Sequence, residues 1–428
     1  MKINLFWFRR DLRLEDNTAL YNALRSGLPV LPLFIFDTNI TAELPHDDAR
    51  IGLIYDTLTS INKELSFMGS SVLVKKGDPA SVWNELTTAL EINSVFLNKD
   101  YEPYAIQRDN SIEKILKSKG ISMFRFKDQV IAEEREILKD DGTPYTIFTP
   151  YSKKWRQQVE KNFRPLPDLR TEEKGNFFRC SYLFPSLEEI GFKKSKVKAR
   201  DYDLSVISSY DRFRDLPAED KTSYLSPHFR FGTVSPRKIT MLAAKENQVF
   251  LGELIWREFF MQILFNFPKV VTENFKPRYD NIQWRNNEAE FERWCKGDTG
   301  YPLVDAGMRQ LNDTGYMHNR VRMVTAGFLV KHLLIDWRWG EAYFAGKLLD
   351  YELSSNNGNW QWAAGTGCDA APYFRIFNPA SQMQKFDSKS EYVRRWIPDL
   401  DLPGYSEAIV DHTFARNRAI TTYKEALK

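Results

Sequence analysis

Cysteine and histidine are scarce in this chain of 428 residues. The three cysteines, Cys180, Cys295 and Cys368, lie far apart with no CxxC spacing. That pattern excludes a disulfide scaffold and a cysteine zinc site, and it fits a reducing compartment. The five histidines include no HxxxH pair, so no metal is expected. Net charge is small: 60 basic and 57 acidic residues leave +3. A local basic face is still compatible with that total. No uninterrupted apolar run approaches about 18 residues, so no membrane-spanning helix is expected. The opening apolar stretch, Ile3–Phe8, is short and precedes Arg9 and Arg10, the reverse of a secretory signal. A cytoplasmic monomer without a membrane partner is expected. The GxGxxG dinucleotide fingerprint is absent after the first apolar run.

What is present is an ordinary globular composition, 43% hydrophobic and 27% charged, with one outlier. Aromatic residues reach 14%, and eight of the 11 Trp lie between Trp256 and Trp396. This regional excess suits either a flat ligand or nucleobases, or a densely aromatic core. Over residues 1–130, short apolar runs at Ile3–Phe8, Val30–Phe36, Ser71–Val74 and Ser94–Leu97 alternate with helical text such as Ile51–Phe67 and Ser81–Leu90. Buried strands alternating with helices predict a Rossmann-like α/β domain on a parallel sheet. Residues 131–201 carry turn and charge signals: Asp140-Asp141-Gly142, Pro165-Leu166-Pro167 and the Lys-rich 193–200. They read as a connection over the surface. Residues 202–428 read as an all-α domain, with helical patterns at Gly252–Phe265, Gly307–Asn312, His318–Leu334, Trp339–Leu349 and Glu391–Trp396.

Three segments of the helical part carry unusual chemistry. In Glu253–Phe260, helical spacing aligns Glu253, Trp256 and Phe260 on one face. An acid beside two aromatics suits a flat ligand with polar edges, and equally a core helix with a solvated Glu. In Gly315–Met323, Asn319 and Met323 lie one turn apart, while Arg320 and Arg322 point elsewhere, to a phosphate or to an internal carboxylate. His318 reads as a structural hydrogen-bonding group. The run from Asp350 to Gly367 mixes Asn, Gly and Trp, which makes a poor helix and a poor strand and suggests backbone and amides set against a ligand. Thr222–Ser226 clusters hydroxyls at an expected helix start, where a phosphate or a simple N-cap is served.

Taken together, Trp7-Phe-Arg-Arg-Asp-Leu-Arg13, Trp256-Arg-Glu-Phe259, Thr299-Gly-Tyr-Pro302 with Asp305-Ala-Gly-Met-Arg309, Met317-His-Asn-Arg320 and Asn356-Asn-Gly-Asn-Trp-Gln-Trp362 resemble the photolyase/cryptochrome family, in order and over essentially the whole chain. The likeness is strongest to class I cyclobutane pyrimidine dimer photolyases. It implies an α/β domain, a linker and a helical domain binding FAD. The implied reaction is light-driven splitting of pyrimidine dimers in UV-damaged DNA by the anionic reduced flavin. Carried over by position, Tyr210, Thr222, Ser223, Tyr224, Leu225, Ser226, Arg322, Asp350, Tyr351, Glu352 and Asn356 would contact FAD, Arg322 pairing with Asp350 and Asn356 lying next to flavin N5. Glu253 would face the dimer. Trp256, Arg257, Phe260, Asn319, Arg320, Met323 and Trp362 would hold the flipped dimer and its backbone, with Arg214 and Lys385 on DNA. Trp360, Trp337 and Trp284 would relay electrons to the flavin.

The resemblance leaves the antenna chromophore open. Tyr104 and Ala105, and Val271 and Thr272, stand where the folate-binding relatives have Asn and Glu, and Cys and Lys, which counts against a folate. Tyr101-Glu-Pro-Tyr104 is more similar to deazaflavin-using relatives, and no antenna at all is the remaining alternative. Among rival functions, (6-4) photoproduct repair needs a histidine acid, and Asn319 and Met323 stand at the positions where those relatives have His. A blue-light cryptochrome without repair activity is disfavoured by Asn356, where plant cryptochromes have Asp, and by the absence of a long tail after Trp396. A non-catalytic DNA-binding relative would leave Glu253 and Met323 without a task.

Overall fold

The structure, a computed structural model, describes residues 1–428 except 160–162, 402–404 and 406. The chain divides into two compact units. One comprises Met1–Glu136, Trp155–Asp201 and Leu225–Ala244; the other comprises Ile137–Lys154, Tyr202–Tyr224 and Lys245–Lys428.

The first unit is built on five parallel strands: β1 (Ile3–Phe8), β2 (Val30–Asp37), β3 (Leu73–Gly77), β4 (Ile92–Asn98) and β5 (Ser122–Phe126). Their order is β3-β2-β1-β4-β5. β1 and β2 are buried along their whole length, as strands covered by helices on both faces must be, and this makes their text continuously apolar. β3 runs later than its apolar text suggests and includes Lys75 and Lys76; it is an edge strand, where charge discourages pairing with other chains. β5, the other edge, is half exposed and polar, so no apolar run announces it in the sequence.

The segment expected to run over the surface is in part a core contributor. Phe177 bridges Val30 at the sheet, and Phe177, Ile190 and Phe192 are buried in the core of this unit. Arg237, from the helix Pro236–Glu246, joins the same unit through Asp16 (3.0 Å) and Asp128 (2.8 Å), while Arg13 holds the other oxygen of Asp128 at 2.6 Å. Burial pushes the Asp128 carboxyl up, but the two guanidinium groups win and hold it below its usual range. At the switch point between β1 and β4, Arg9 is bound to Asp109 (2.6 Å), and Asn98 donates to Asp11 (2.6 Å) and Asn17 (2.8 Å).

The second unit is helical. Its core gathers Trp294, Trp337, Trp360, Phe328, Phe344 and their aliphatic neighbours. The helices Gln248–Asn266, Pro302–Thr314, Asn319–Gly327, Trp337–Lys347 and Leu353–Ala364 supply the functional residues. The last of these corrects the sequence expectation: the Asn- and Gly-rich run is a regular helix. Tertiary bonds offset its weak propensity. Asn357 donates to the Val270 carbonyl at 2.7 Å, and Gln361 donates to the Val270 and Glu273 carbonyls and accepts from Phe275 N at 2.8 Å. Gly358 lets Phe260 approach: an added Cβ would lie 2.2 Å from the Phe260 ring. The helix reaching from Asn319 passes into one π-type turn, Phe328–His332, rather than running on unbroken to Leu334. Among the described residues no helix is long and apolar enough to cross a membrane, and no cluster of His, Cys, Asp or Glu has the grouping of a metal site.

Candidate functional site

A cleft of about 610 Å³ opens within the helical unit. It is lined by Asn319, Arg322, Met323, Asp350, Tyr351, Glu352, Asn356, Trp360 and Trp362, together with Phe344, Leu348, Ala326, Ser355, Asn359 and Ala363. Walls that mix apolar and aromatic side chains with a few convergent polar groups are typical of a ligand pocket. The helix Asn319–Gly327 contributes Asn319, Arg322 and Met323 from successive turns of one side. His318 caps that helix, its Nδ1 accepting from Arg320 N at 3.2 Å, and burial pushes its imidazole down to about 4. It is a neutral structural group, which matches its sequence reading.

The two arginines of this helix separate: Arg320 lies outside the cleft lining, as expected, whereas Arg322, expected to point elsewhere too, lines the cleft with Asn319 and Met323. Arg322 donates to Asp350 Oδ2 at 2.9 Å and to the Met317 carbonyl at 2.8 Å. Arg320 instead binds Asp215 at 2.6 Å and lies 4.4 Å over the Phe386 ring. The second Asp350 oxygen, Oδ1, is buried and has no hydrogen-bond partner among the described residues. A buried carboxylate oxygen left open at a cleft wall is an acceptor suited to an N–H of a ligand. Asn356 is oriented by Glu341: its Nδ2 donates to the Glu341 carboxyl at 2.8 Å and to the Glu341 carbonyl at 3.1 Å. Burial raises the Glu341 carboxyl above its usual range. Glu341 was not legible as a site residue, because its only link to the cleft is a tertiary contact.

A second cluster forms around Glu253. Its carboxyl meets Arg214 at 2.8 Å, and Arg214 lies 5.2 Å over the Tyr210 ring. Burial raises Glu253 more than Arg214 lowers it, so the carboxyl holds its proton above the usual carboxylate range. One helical turn on, Trp256 is half-buried and stacked on Phe148, ring centres 3.6 Å apart and planes within 6°. Phe148 comes from the segment expected to be linker, and its backbone N–H is held by Asp369 at 3.0 Å. Sequence reading missed it for that reason. Phe260, expected with Glu253 and Trp256 at the ligand, is instead 6% exposed; it stacks on Trp256 and fills the space above Gly358. Arg257 is also largely buried, 3.9 Å from Glu352.

Of the other expected residues, the three tryptophans share one core and the rest lie elsewhere. Trp360 and Trp337 are buried in one core and Trp284 is packed against it, half exposed. Trp360 meets Phe344 at 5.0 Å and Trp294 at 6.1 Å, and Trp337 donates to Asn274 at 2.9 Å. Lys385 is exposed on the helix Pro379–Phe386. Thr222, Ser223 and Tyr224 belong to the helical unit, and Tyr224 has φ of +51° with its hydroxyl bound to Asp220. Leu225 and Ser226 open the helix Leu225–Phe231 in the other unit.

Comparison with known proteins agrees with this arrangement. Residues 4–170 match the family described as DNA photolyase, and residues 250–404 match the FAD binding domain of DNA photolyase. The deoxyribodipyrimidine photo-lyase of Escherichia coli is 36% identical, with both chains covered in full. A class III photolyase structure from Agrobacterium tumefaciens superposes with a TM-score of 0.88 at 32% identity, covering 100% of this chain and 98% of the other. An archaeal photolyase structure from Sulfolobus tokodaii, described with two FAD molecules, gives 0.83 at 34% identity over 99% and 100% of the two chains. With relatives this similar along its whole length, a helical unit that carries the cleft and a parallel-sheet unit beside it in sequence, the chain belongs to the photolyase/cryptochrome family.

Proposed function

We propose that this protein is a deoxyribodipyrimidine photo-lyase, a flavoenzyme that splits cyclobutane pyrimidine dimers in DNA under blue light. The observation that carries this reading is the cleft of the helical unit, where Arg322–Asp350, Asn356, Met323 and Trp362 converge. The residues fit FAD: the open Asp350 Oδ1 accepts a ring N–H, Arg322 fixes that carboxylate, and Trp360, Phe344 and Leu348 offer apolar walls to a flat ring. When bound, FAD supplies a blue-light-absorbing donor that lends one electron to the lesion and receives it back.

The chain's own residues do the rest. Asn356 presents a neutral amide, oriented by Glu341, where a carboxylate would oppose the anionic reduced cofactor. Trp362 offers a face to the extruded pyrimidines, and Trp256, its ring stacked on Phe148 and Phe260, offers an edge beside Glu253. Stacking returns about 1–3 kcal/mol per base, comparable with the few kcal/mol that extrusion of a damaged pair costs. In its protonated form, which burial favours, Glu253 would donate a hydrogen bond to a pyrimidine carbonyl. A DNA phosphate that draws Arg214 away removes the group opposing that proton, so binding and protonation of Glu253 support each other. Asn319, Arg320 and Met323 flank the lesion, Lys385 serves a phosphate, Tyr210 and 222–224 serve the cofactor, and Trp284, Trp337 and Trp360 would relay electrons to it from a reductant in solution. The neutral Asn319 and Met323 favour this lesion over one needing a histidine acid.

The test is an oligonucleotide holding one thymine dimer, mixed with the reduced protein in blue light and in darkness. Loss of the dimer only in the light is the expected result. No loss, in protein whose absorbance shows bound reduced FAD, overturns the repair reading in favour of photoreception or another lesion.

A further inference from the structure

Residues Lys193, Lys194, Lys196 and Lys198 form a strip on the α/β unit that the repair chemistry does not use. All four are exposed, whereas Ser195, Val197 and Ala199 between and beyond them are half-buried. The chain therefore turns its lysines outward at alternate positions along 194–198 and keeps its small residues against the unit. Among the described residues, none of the four ammonium groups has a hydrogen-bond or ion-pair partner. What distinguishes the strip is four cations within six consecutive positions, with no acidic residue among them.

The strip is also held in place. At its start, Phe192 is 8% exposed in the core, the Lys193 N–H donates to the His46 carbonyl at 2.8 Å, and His46 Nδ1 binds the Gly191 carbonyl at 3.0 Å. At its end, His228 Nε2 binds the Arg200 carbonyl at 3.0 Å. Both ends of the strip are thus anchored before a partner binds, which reduces the ordering cost. Two residues of chain reach at most about 7 Å, and duplex DNA offers one phosphate per ~1.7 Å of axis. Each lysine, a point charge on a flexible stem, can thus meet a phosphate without a fixed sequence register. An anionic bilayer fits less well, because surface binding there draws on inserted apolar groups, and Val197 is turned inward.

We propose that Lys193, Lys194, Lys196 and Lys198 form a second, lesion-independent contact for the phosphate backbone of DNA, outside the catalytic cleft. The inference rests on the DNA-repair reading, and its test separates the two. The full-length flavin-loaded chain with Lys193, Lys194, Lys196 and Lys198 all changed to Gln is compared with the unmodified chain for binding to an undamaged duplex across a salt series. The expected result is a log–log salt slope smaller by about 3 to 4, since each phosphate contact contributes ~0.9. Affinity in low salt falls at least tenfold, while FAD content and dimer splitting at saturating damaged DNA stay as they were. If the fourfold variant folds poorly, the pairs Lys193→Gln with Lys194→Gln, and Lys196→Gln with Lys198→Gln, should each take about half of the slope change. An unchanged slope overturns the proposal, and so does an unchanged slope with lost binding to phosphatidylglycerol vesicles, which would assign the strip to a membrane surface. Failure of the unmodified chain to split dimers would strike the repair reading alone.

Discussion

At the scale of single residues, the site is a set of matched environments. Glu253 illustrates the balance: burial favours the neutral acid, Arg214 at 2.8 Å favours the carboxylate, and burial is the larger effect. Its proton is present at low pH and is lost as pH rises through the raised value. Affinity for dimer-containing DNA should therefore fall as pH rises through a limb lying above the ordinary glutamate range. Glu253→Gln, which keeps a hydrogen-bond donor and cannot ionise, should flatten that limb in a binding titration across pH; a limb of the same size in the variant would remove Glu253 from the role. Trp362 is half-buried at the cleft wall. Trp362→Ala should weaken damaged-DNA binding by about 1–3 kcal/mol, roughly tenfold to a hundredfold, and leave FAD content nearly unchanged. Equal loss of both, measured by gel shift and by flavin absorbance, would mean that the tryptophan supports the cofactor rather than the lesion.

At the scale of elements, the helix Leu353–Ala364 shows tertiary structure overriding local preference. Its Asn and Gly residues are weak helix formers, yet Asn357 and Gln361 bind the turn at Val270–Glu273 and Gly358 admits the Phe260 ring. Its C-terminal carbonyl at Ala364 is gripped twice, by the buried Lys331 amine and by the Tyr423 hydroxyl, both at 2.7 Å. Burial holds that lysine well below its ordinary value. Gly358→Ala sets two effects against each other. Propensity alone would stabilise by about 1 kcal/mol, whereas a methyl group 2.2 Å from a buried ring costs about 1–3 kcal/mol and displaces Phe260. Overpacking should prevail, with a fall of a few degrees in melting temperature and weaker flavin retention. A rise in melting temperature would show that the Phe260 ring moves aside freely. This helix was legible in the sequence as a functional segment but not as a helix, because the bonds that make it one come from residues about 90 positions away.

At the scale of the whole molecule, the cleft and the residues proposed to serve the flavin ring belong to the helical unit. A ligand bound there stabilises that unit by mass action. Removing FAD should lower hydrogen-exchange protection in residues 137–154, 202–224 and 245–428 and leave the parallel sheet close to its holo values. An equal loss in the sheet strands would contradict that assignment. Much of the architecture was legible in the chain. Apolar runs marked four of the five strands because strands buried on both faces must be apolar throughout, and 3.6-residue periodicity marked the helices Gln248–Asn266, Asn319–Gly327 and Trp337–Lys347. The Glu253–Trp256 and Asn319–Met323 spacings likewise followed from helical geometry. Other features were decided only by the folded chain. β5 is an exposed edge with no apolar signature, and Phe148 reaches the face of Trp256 from more than a hundred residues away. Glu341 orients Asn356, Arg214 opposes the proton of Glu253, and Phe260 turns into the core instead of toward a ligand. Periodicity along a chain specifies which side of an element a residue occupies. Which groups meet across elements, and therefore which protons and rings are held where, depends on packing between segments that no local pattern records.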